Sequence, residues 1–250
     1  MRNIFRMVFL VVLGIVVGTI GYEGIMVARV LWLRNHNPSS TSLIDTRIRE
    51  AQARGQQPKR EQVWVPLERI SANLQRAVLA GEDTNFLTHH GFDYEAIQKA
   101  WEQAQRETAR EAKAEGEDDY WLPSLPDFRR GASTISQQLA KNLYLTTQRS
   151  FFRKGQEAAL TVMLERTLTK RRILEIYLNV IEWGDGIYGA EAASQRYFRK
   201  PASALTVNEA AFLSAMIPNP RTVFNPQSNP RRVARRQRVI LRGMPAIRLP

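Results

Sequence analysis

Residues 82–93 read Glu82-Asp83-Thr84-Asn85-Phe86-Leu87-Thr88-His89-His90-Gly91-Phe92-Asp93. Three acids and two histidines gather where one regular pattern stops. Upstream, Ile70, Leu74, Ala77 and Val78 recur at the spacing of an amphipathic helix. Glu82 therefore falls at or just past a helix C-terminus, where carbonyl dipoles disfavour further negative charge. A carboxylate held there has its pKa pushed upward and can serve as a base without any metal. Read alone, the Glu82-Asp83 pair equally suits a solvated acidic turn, so the surrounding chain has to decide.

Outward from this stretch the chain reads as helical. Residues 94–116 are highly charged, with opposite charges at i,i+3 and i,i+4 that support an exposed helix. Residues 117–127, with Pro123 and Pro126, read as a loop. Gly131 with Ser133 or Thr134 resembles a helix start, followed by an apolar stripe of Ile135, Leu139 and Leu143. Gln138 and Lys141 sit together on another face, an amide and an ammonium one turn apart. That pair suits a sugar hydroxyl beside a phosphate, and an ordinary helix surface accounts for it almost as well. Arg153 and Lys154 stand four and three residues before Glu157, so both cations can share its face. A surface ion-pair cluster is the plain alternative. Further helices follow over 170–179 and around Glu191–Phe198, separated by a glycine-bearing turn at 183–189. Thr206-Val207-Asn208-Glu209 is a capping box. Residues 231–244 carry six arginines around Val233, Ile240 and Leu241, a basic amphipathic helix suited to a membrane surface or nucleic acid. No strand-rich region, repeat, zinc pattern or phosphate-cradling glycine loop interrupts this. The expected fold is mainly α.

Composition limits the function. At 250 residues and 44% hydrophobic the chain can bury a sizeable core. The absence of cysteine excludes disulfides and thiolate metal sites. A formal net charge of +12 implies an anionic partner: nucleic acid, anionic lipid or a phosphorylated substrate. Residues 7–22 are uncharged and apolar, flanked by Arg2 and Arg6, and after Glu23 the apolar character resumes to Leu33. A span needs ~20 residues, which residues 7–28 supply once Glu23 sits near the far headgroups. No small-x-small cleavage site follows, so residues 1–33 read as an uncleaved anchor rather than a signal peptide. Arg29 and Arg34 nearly balance the near-side charge, leaving orientation weakly specified. Residues 34–62 are polar and read as a stalk with at most a short helix, and the globular domain spans 63–250.

Taken together, the stretches resemble the peptidoglycan glycosyltransferase family (glycosyltransferase family 51). Five motifs occur in the family's order: Glu82-Asp83-x-x-Phe86-x-x-His89-x-Gly91-x-Asp93; Gly131-x-Ser133-Thr134-Ile135-x-Gln137-Gln138-Leu139-x-Lys141-Asn142; Arg153-Lys154-x-x-Glu157; Lys170-x-x-Ile173-Leu174-Glu175-x-Tyr177-Leu178-Asn179; and Gly184, Gly189, Ala192, Ala193, Tyr197, Phe198. The resemblance implies a lysozyme-like α fold that polymerises lipid II on the outer face of the bacterial inner membrane. It implies Glu82 as general base on the acceptor hydroxyl. Lys141, Arg153 and Lys154 would hold the donor pyrophosphate, and Gln138 would orient sugar or phosphate. Glu157 would share in catalysis by orienting the acceptor phosphate site or these cations, or would help place a Mg²⁺ or Mn²⁺ ion; no organic cofactor is implied. Asp83, His89, Ser133, Thr134, Gln137 and Asn142 are carried over as substrate-binding positions.

Partners implied are lipid II, the growing glycan strand, the inner membrane and cell-wall synthesis or division proteins, with no nucleic acid. The segment around 102–127 looks longer than the family pattern, and no Ser-x-x-Lys occurs, so cross-linking by an acylating serine is not expected. A lytic hydrolase is the nearest rival. Such an enzyme needs a proton donor to the glycosidic oxygen, whereas a pyrophosphate leaving group needs cations.

Overall fold

The computed structural model describes residues 2–115, 133–145 and 151–250. An N-terminal helix, α1 (Arg2–Trp32), leads through α2 (Ser42–Ala53) and β1 (Glu61–Gln62) into α3 (Ala72–Glu82) and α4 (Tyr94–Glu115). Then come α5 (Ile135–Tyr144), α6 (Phe151–Thr167) and α7 (Lys170–Val180), the short strands β2 (Glu182–Gly184) and β3 (Ile187–Tyr188), α8 (Ala190–Phe198), α9 (Val207–Met216) and α10 (Pro230–Gly243). The glycine-bearing turn is thus a small hairpin: β3 pairs antiparallel with β2 and parallel with β1.

The core gathers on α7. Its Ile173, Leu174, Ile176, Tyr177, Leu178 and Val180 are all fully buried, and each large apolar side chain removed from water contributes about 1.5–3 kcal/mol. Helix α3 starts where Ser71 accepts from the Leu74 amide and buries Leu74, Ala77, Val78 and Leu79 against α9 and α10. Close approach is required there. The Ser214 hydroxyl donates to the Ala77 carbonyl, and a Cβ on Gly81 would lie 2.7 Å from Ser214 Oγ and 3.1 Å from Ile240 Cδ1. Glu82 is therefore set at the end of a helix clamped on two sides. The capping box at Thr206 and Glu209 forms as expected.

Residues 34–62, expected as a stalk, are not free of the domain. Ile44 is fully buried, α2 packs on α5, and Arg47 pairs with Glu182 at 3.2 Å. Strand β1 pairs with β3, Gln62 donates to the Asn179 carbonyl at 2.9 Å and Arg221 lies 3.8 Å from Glu50, so several long-range contacts dock a segment whose composition is polar. Helix α1 is long and apolar enough over Phe5–Trp32 to cross a membrane. The Arg129-Arg130-Gly131 part of the second motif, and the part of the long segment beyond residue 115, lie outside the described residues.

Candidate active site

Glu82 ends α3 with its side chain only 7% exposed. Its Oε2 accepts from Gln138 Nε2 at 2.9 Å, and its Oε1 accepts from Arg236 Nη2 at 2.6 Å. Burial pushes the Glu82 pKa up; the Arg236 charge, and the hydrogen bonds from Gln138 and Arg236, oppose this, while Asp83 adds to it. Gln138 is itself oriented, because its Oε1 accepts from the buried Tyr177 hydroxyl at 2.8 Å. A cavity of about 150 Å³ opens beside Glu82, lined by Asp83, Ser133 and Thr134 among others.

Arg236 was not among the sequence-derived site residues. It belongs to the basic helix assigned above to a membrane surface or nucleic acid, yet it turns inward, donating also to the Gly81 carbonyl at 2.7 Å and lying 5.6 Å from the Phe224 ring centroid. A signal existed. Val233, Arg236 and Ile240 fall on one helical face, and the two apolar members are buried.

Asp83 turns the other way. Both its oxygens accept from His89 Nε2, at 2.9 and 3.0 Å, and Oδ2 also accepts from the Ile135 amide at the start of α5. His89 Nδ1 accepts from the Gly91 amide, which assigns the ring proton to Nε2. Thr134 caps α5 in a capping box with Gln137, and its hydroxyl donates to the Gly91 carbonyl at 2.7 Å. Gly91 has φ +97°, and a Cβ there would meet Thr161 Cγ2 at 2.8 Å. The polar side-chain atoms of Asp83, His89 and Thr134 and the Gln137 Oε1 are thus engaged inside the protein. These residues fasten the first motif's turn onto α5; Ser133 faces the cavity, and Asn142 is half-buried beside Lys141.

A second carboxylate is held on α6. Glu157 is buried, with Oε1 accepting from Lys154 Nζ at 2.7 Å and Oε2 from Arg153 Nη1 at 3.2 Å. This is the expected i,i+4 and i,i+3 arrangement. Lys141, on the neighbouring α5, is exposed but within electrostatic reach of both Glu157 and Glu82. Loss of water lowers its pKa, Glu157 and Glu82 hold it up, and Arg153 and Lys154 push it further down. Helix α5 therefore runs between the two carboxylates, offering Gln138 to one and Lys141 to the other. The residues do not fit a divalent ion at Glu157 as they stand. Both its oxygens accept from cationic donors, and no group of three metal-binding side chains occurs among the described residues.

The sequence matches the transglycosylase family over residues 49–116 and 122–245. The chain belongs to the transglycosylase family. It is 44% identical, over all of both chains, to a biosynthetic peptidoglycan transglycosylase of Thiobacillus denitrificans. It is 48% identical to one of Aromatoleum aromaticum, covering 84% of this chain and 83% of the relative. A third, from Chromobacterium violaceum, is 40% identical over 98% of this chain and 99% of its own. The expected mainly α, lysozyme-like class of the family agrees with the helical architecture. The break in the family match at 117–121 falls inside the segment that looked long in sequence.

Proposed function

We propose that this transglycosylase polymerises lipid II into β-1,4-linked glycan strands. The acceptor 4-hydroxyl attacks the donor anomeric carbon, the bond from that carbon to undecaprenyl pyrophosphate breaks, and the configuration inverts. The hydroxyl proton passes to Glu82. The observation that carries this reading is a buried carboxylate with a raised pKa, one helix away from three cations around Glu157. A base of that kind suits deprotonation of a sugar hydroxyl. The cations suit the charge that develops on a departing pyrophosphate.

In this reading Gln138 and Arg236 position Glu82, while Lys141, Arg153 and Lys154 hold pyrophosphate and Glu157 fixes the latter two. Asp83, His89, Thr134 and Gln137 act indirectly, by holding the first motif against α5. The apolar α1 anchors the domain in the bacterial inner membrane with the catalytic part on the periplasmic side, where a lipid-borne substrate is reached without leaving the bilayer. The sequence holds no Ser-x-x-Lys, and no transpeptidase activity is assigned to it.

The test is to incubate the full chain with lipid II and, separately, with finished murein. Polymer from the first and no fragments from the second is the expected outcome. Soluble fragments from murein, with lipid II left intact, would replace synthesis by hydrolysis.

A further inference from the structure

At the point where α1 leaves the apolar layer, a groove of about 440 Å³ lies between its last turns and the end of α5. Ile25, Ala28 and Trp32 line one side, Leu143 and Tyr144 the other, and Arg29 stands at its edge. We infer that this groove binds an anionic phospholipid of the surrounding bilayer, with Arg29 on the phosphodiester and an acyl chain along Ile25, Ala28 and Leu143. The inference rests on the reading of α1 as a membrane anchor.

Depth is the first argument. The span Phe5–Trp32 has 28 residues, or about 42 Å at ~1.5 Å per residue. The hydrocarbon core is ~30 Å thick, so a helix centred on that span brings Arg29 and Trp32 out among the headgroups, and it places Glu23 inside the apolar layer instead of at the headgroups as the sequence alone suggested. Trp there is the usual interfacial aromatic. Charge is the second. The Arg29 guanidinium lies 5.0 Å from the Tyr144 ring centroid, and a ring face attracts a cation without neutralising it. One such cation matches one phosphodiester, whereas a pyrophosphate is matched by the three cations around Glu157.

Rigidity is the third. The segment after α1 is fastened to the domain: Arg172 donates to the Leu33 carbonyl at 2.9 Å, the His36 carbonyl at 2.7 Å and Asn37 Oδ1 at 2.8 Å, and Arg60 donates to the Ser39 carbonyl. Trp32 stacks on His36 with centroids 4.7 Å apart. The groove is therefore a built feature, and its far wall is the last turn of the helix that also carries Gln138 and Lys141.

Quenching of Trp32 by chain-brominated lipids tests this in the full chain reconstituted in phosphatidylcholine nanodiscs, with Trp32→Phe supplying the background of the other tryptophans. Brominated phosphatidylglycerol should quench at about fivefold lower mole fraction than brominated phosphatidylcholine, the preference that roughly one interfacial cation confers. Arg29→Gln should equalise the two lipids. Ala28→Phe, which fills the groove and keeps the charge, should weaken quenching by both. Equal quenching in the unaltered chain overturns the inference. So does loss of the phosphatidylglycerol effect when an equimolar polyprenyl phosphate is added, which would give the groove to the substrate's tail. If the chain does not co-float with the lipid at all, the anchor reading fails and takes the inference with it. Co-flotation with equal quenching rejects the groove alone.

Discussion

The two buried glutamates of the cleft have opposite surroundings. Glu82 ends a helix, is nearly sealed from water, and faces one guanidinium and one amide. Glu157 lies in the first half of a helix and accepts from two cations of its own next turn back. For Glu82 burial is the largest influence and its pKa rises. Around Glu157 the carboxylate is one element of an ion cluster whose effect is seen on Lys141, whose ammonium it helps keep protonated. Two acids of the same chemical type are thereby suited to different tasks, proton transfer beside Gln138 and charge placement one turn along α5 beside Lys141. Different surroundings of this kind are how carboxylates in one cleft take separate roles.

The strongest break in this contrast is Glu82→Gln. Size is kept and basicity is lost, while only one of the two acceptor oxygens facing Gln138 and Arg236 remains, so turnover should fall by about 10²–10⁴-fold or more. Lipid II binding should largely survive, because the cations are untouched. Polymerisation rates and equilibrium binding on the same folded preparation check both halves, and near-normal turnover would remove Glu82 from the role of base.

Arg236→Gln probes the same end more finely. Arg236 is the charge that opposes burial, so without it the Glu82 pKa rises further. The base must be ionised to act, and the acid limb of the pH–rate profile should therefore move to higher pH. Loss of a charge-assisted hydrogen bond is worth roughly 1.5–3 kcal/mol, so activity should drop by about ten- to a hundredfold on the acid side and recover partly as pH rises. A uniform drop with an unmoved limb would make Arg236 a packing residue only.

What was legible in the sequence follows the range of the interactions. The end of α3 at Glu82, the capping box at Thr206 and the Arg153-Lys154-Glu157 cluster are local, and spacing alone places them. Arg236 reaches Glu82 across 154 positions, and spacing shows only that it shares a face with Val233 and Ile240. The docking of residues 42–53 depends on Arg47 meeting Glu182 across 135 positions, which no local composition reveals. Thr134-Ile135-Ser136-Gln137 is a different case. Its spacing marks a helix start at Ser133 or Thr134, and the structure settles on Thr134 with the same capping pattern as Thr206–Glu209, while the motif likeness also carries Thr134 and Gln137 over to substrate.

One turn along α5, beside Lys141, Glu157→Gln should weaken lipid II binding and turnover together, by roughly tenfold, the scale of one charge-assisted contact. The sign of its pH effect is opposite in kind. Glu157 holds the Lys141 pKa up against burial, so its removal lets that pKa fall further, and the ammonium is lost at lower pH. The basic limb should shift downward while the acid limb stays in place. An unmoved basic limb would remove Glu157 from the role of keeping Lys141 charged.

The smallest expected effect comes from Thr134, whose hydroxyl joins the halves of the comparison. It caps α5 and donates to the Gly91 carbonyl, so it sets the height of the helix that carries both Gln138 and Lys141. Thr134→Ala removes the cap, worth typically ~1 kcal/mol, and one further hydrogen bond of about the same size. For a chain of this length each kcal/mol shifts Tm by roughly 2–4 °C. The expected result is a Tm lower by a few degrees, a modest fall in kcat, an unchanged KM and neither pH limb displaced. Thr134→Ser, which can still cap, should restore most of the Tm. If Thr134 instead touched substrate, Thr134→Ala would raise KM at unchanged Tm, because a hydroxyl spent on a ligand contributes nothing to the helix end. Differential scanning calorimetry beside steady-state kinetics separates the two, since a residue that positions both Gln138 and Lys141 must register in stability before it registers in binding.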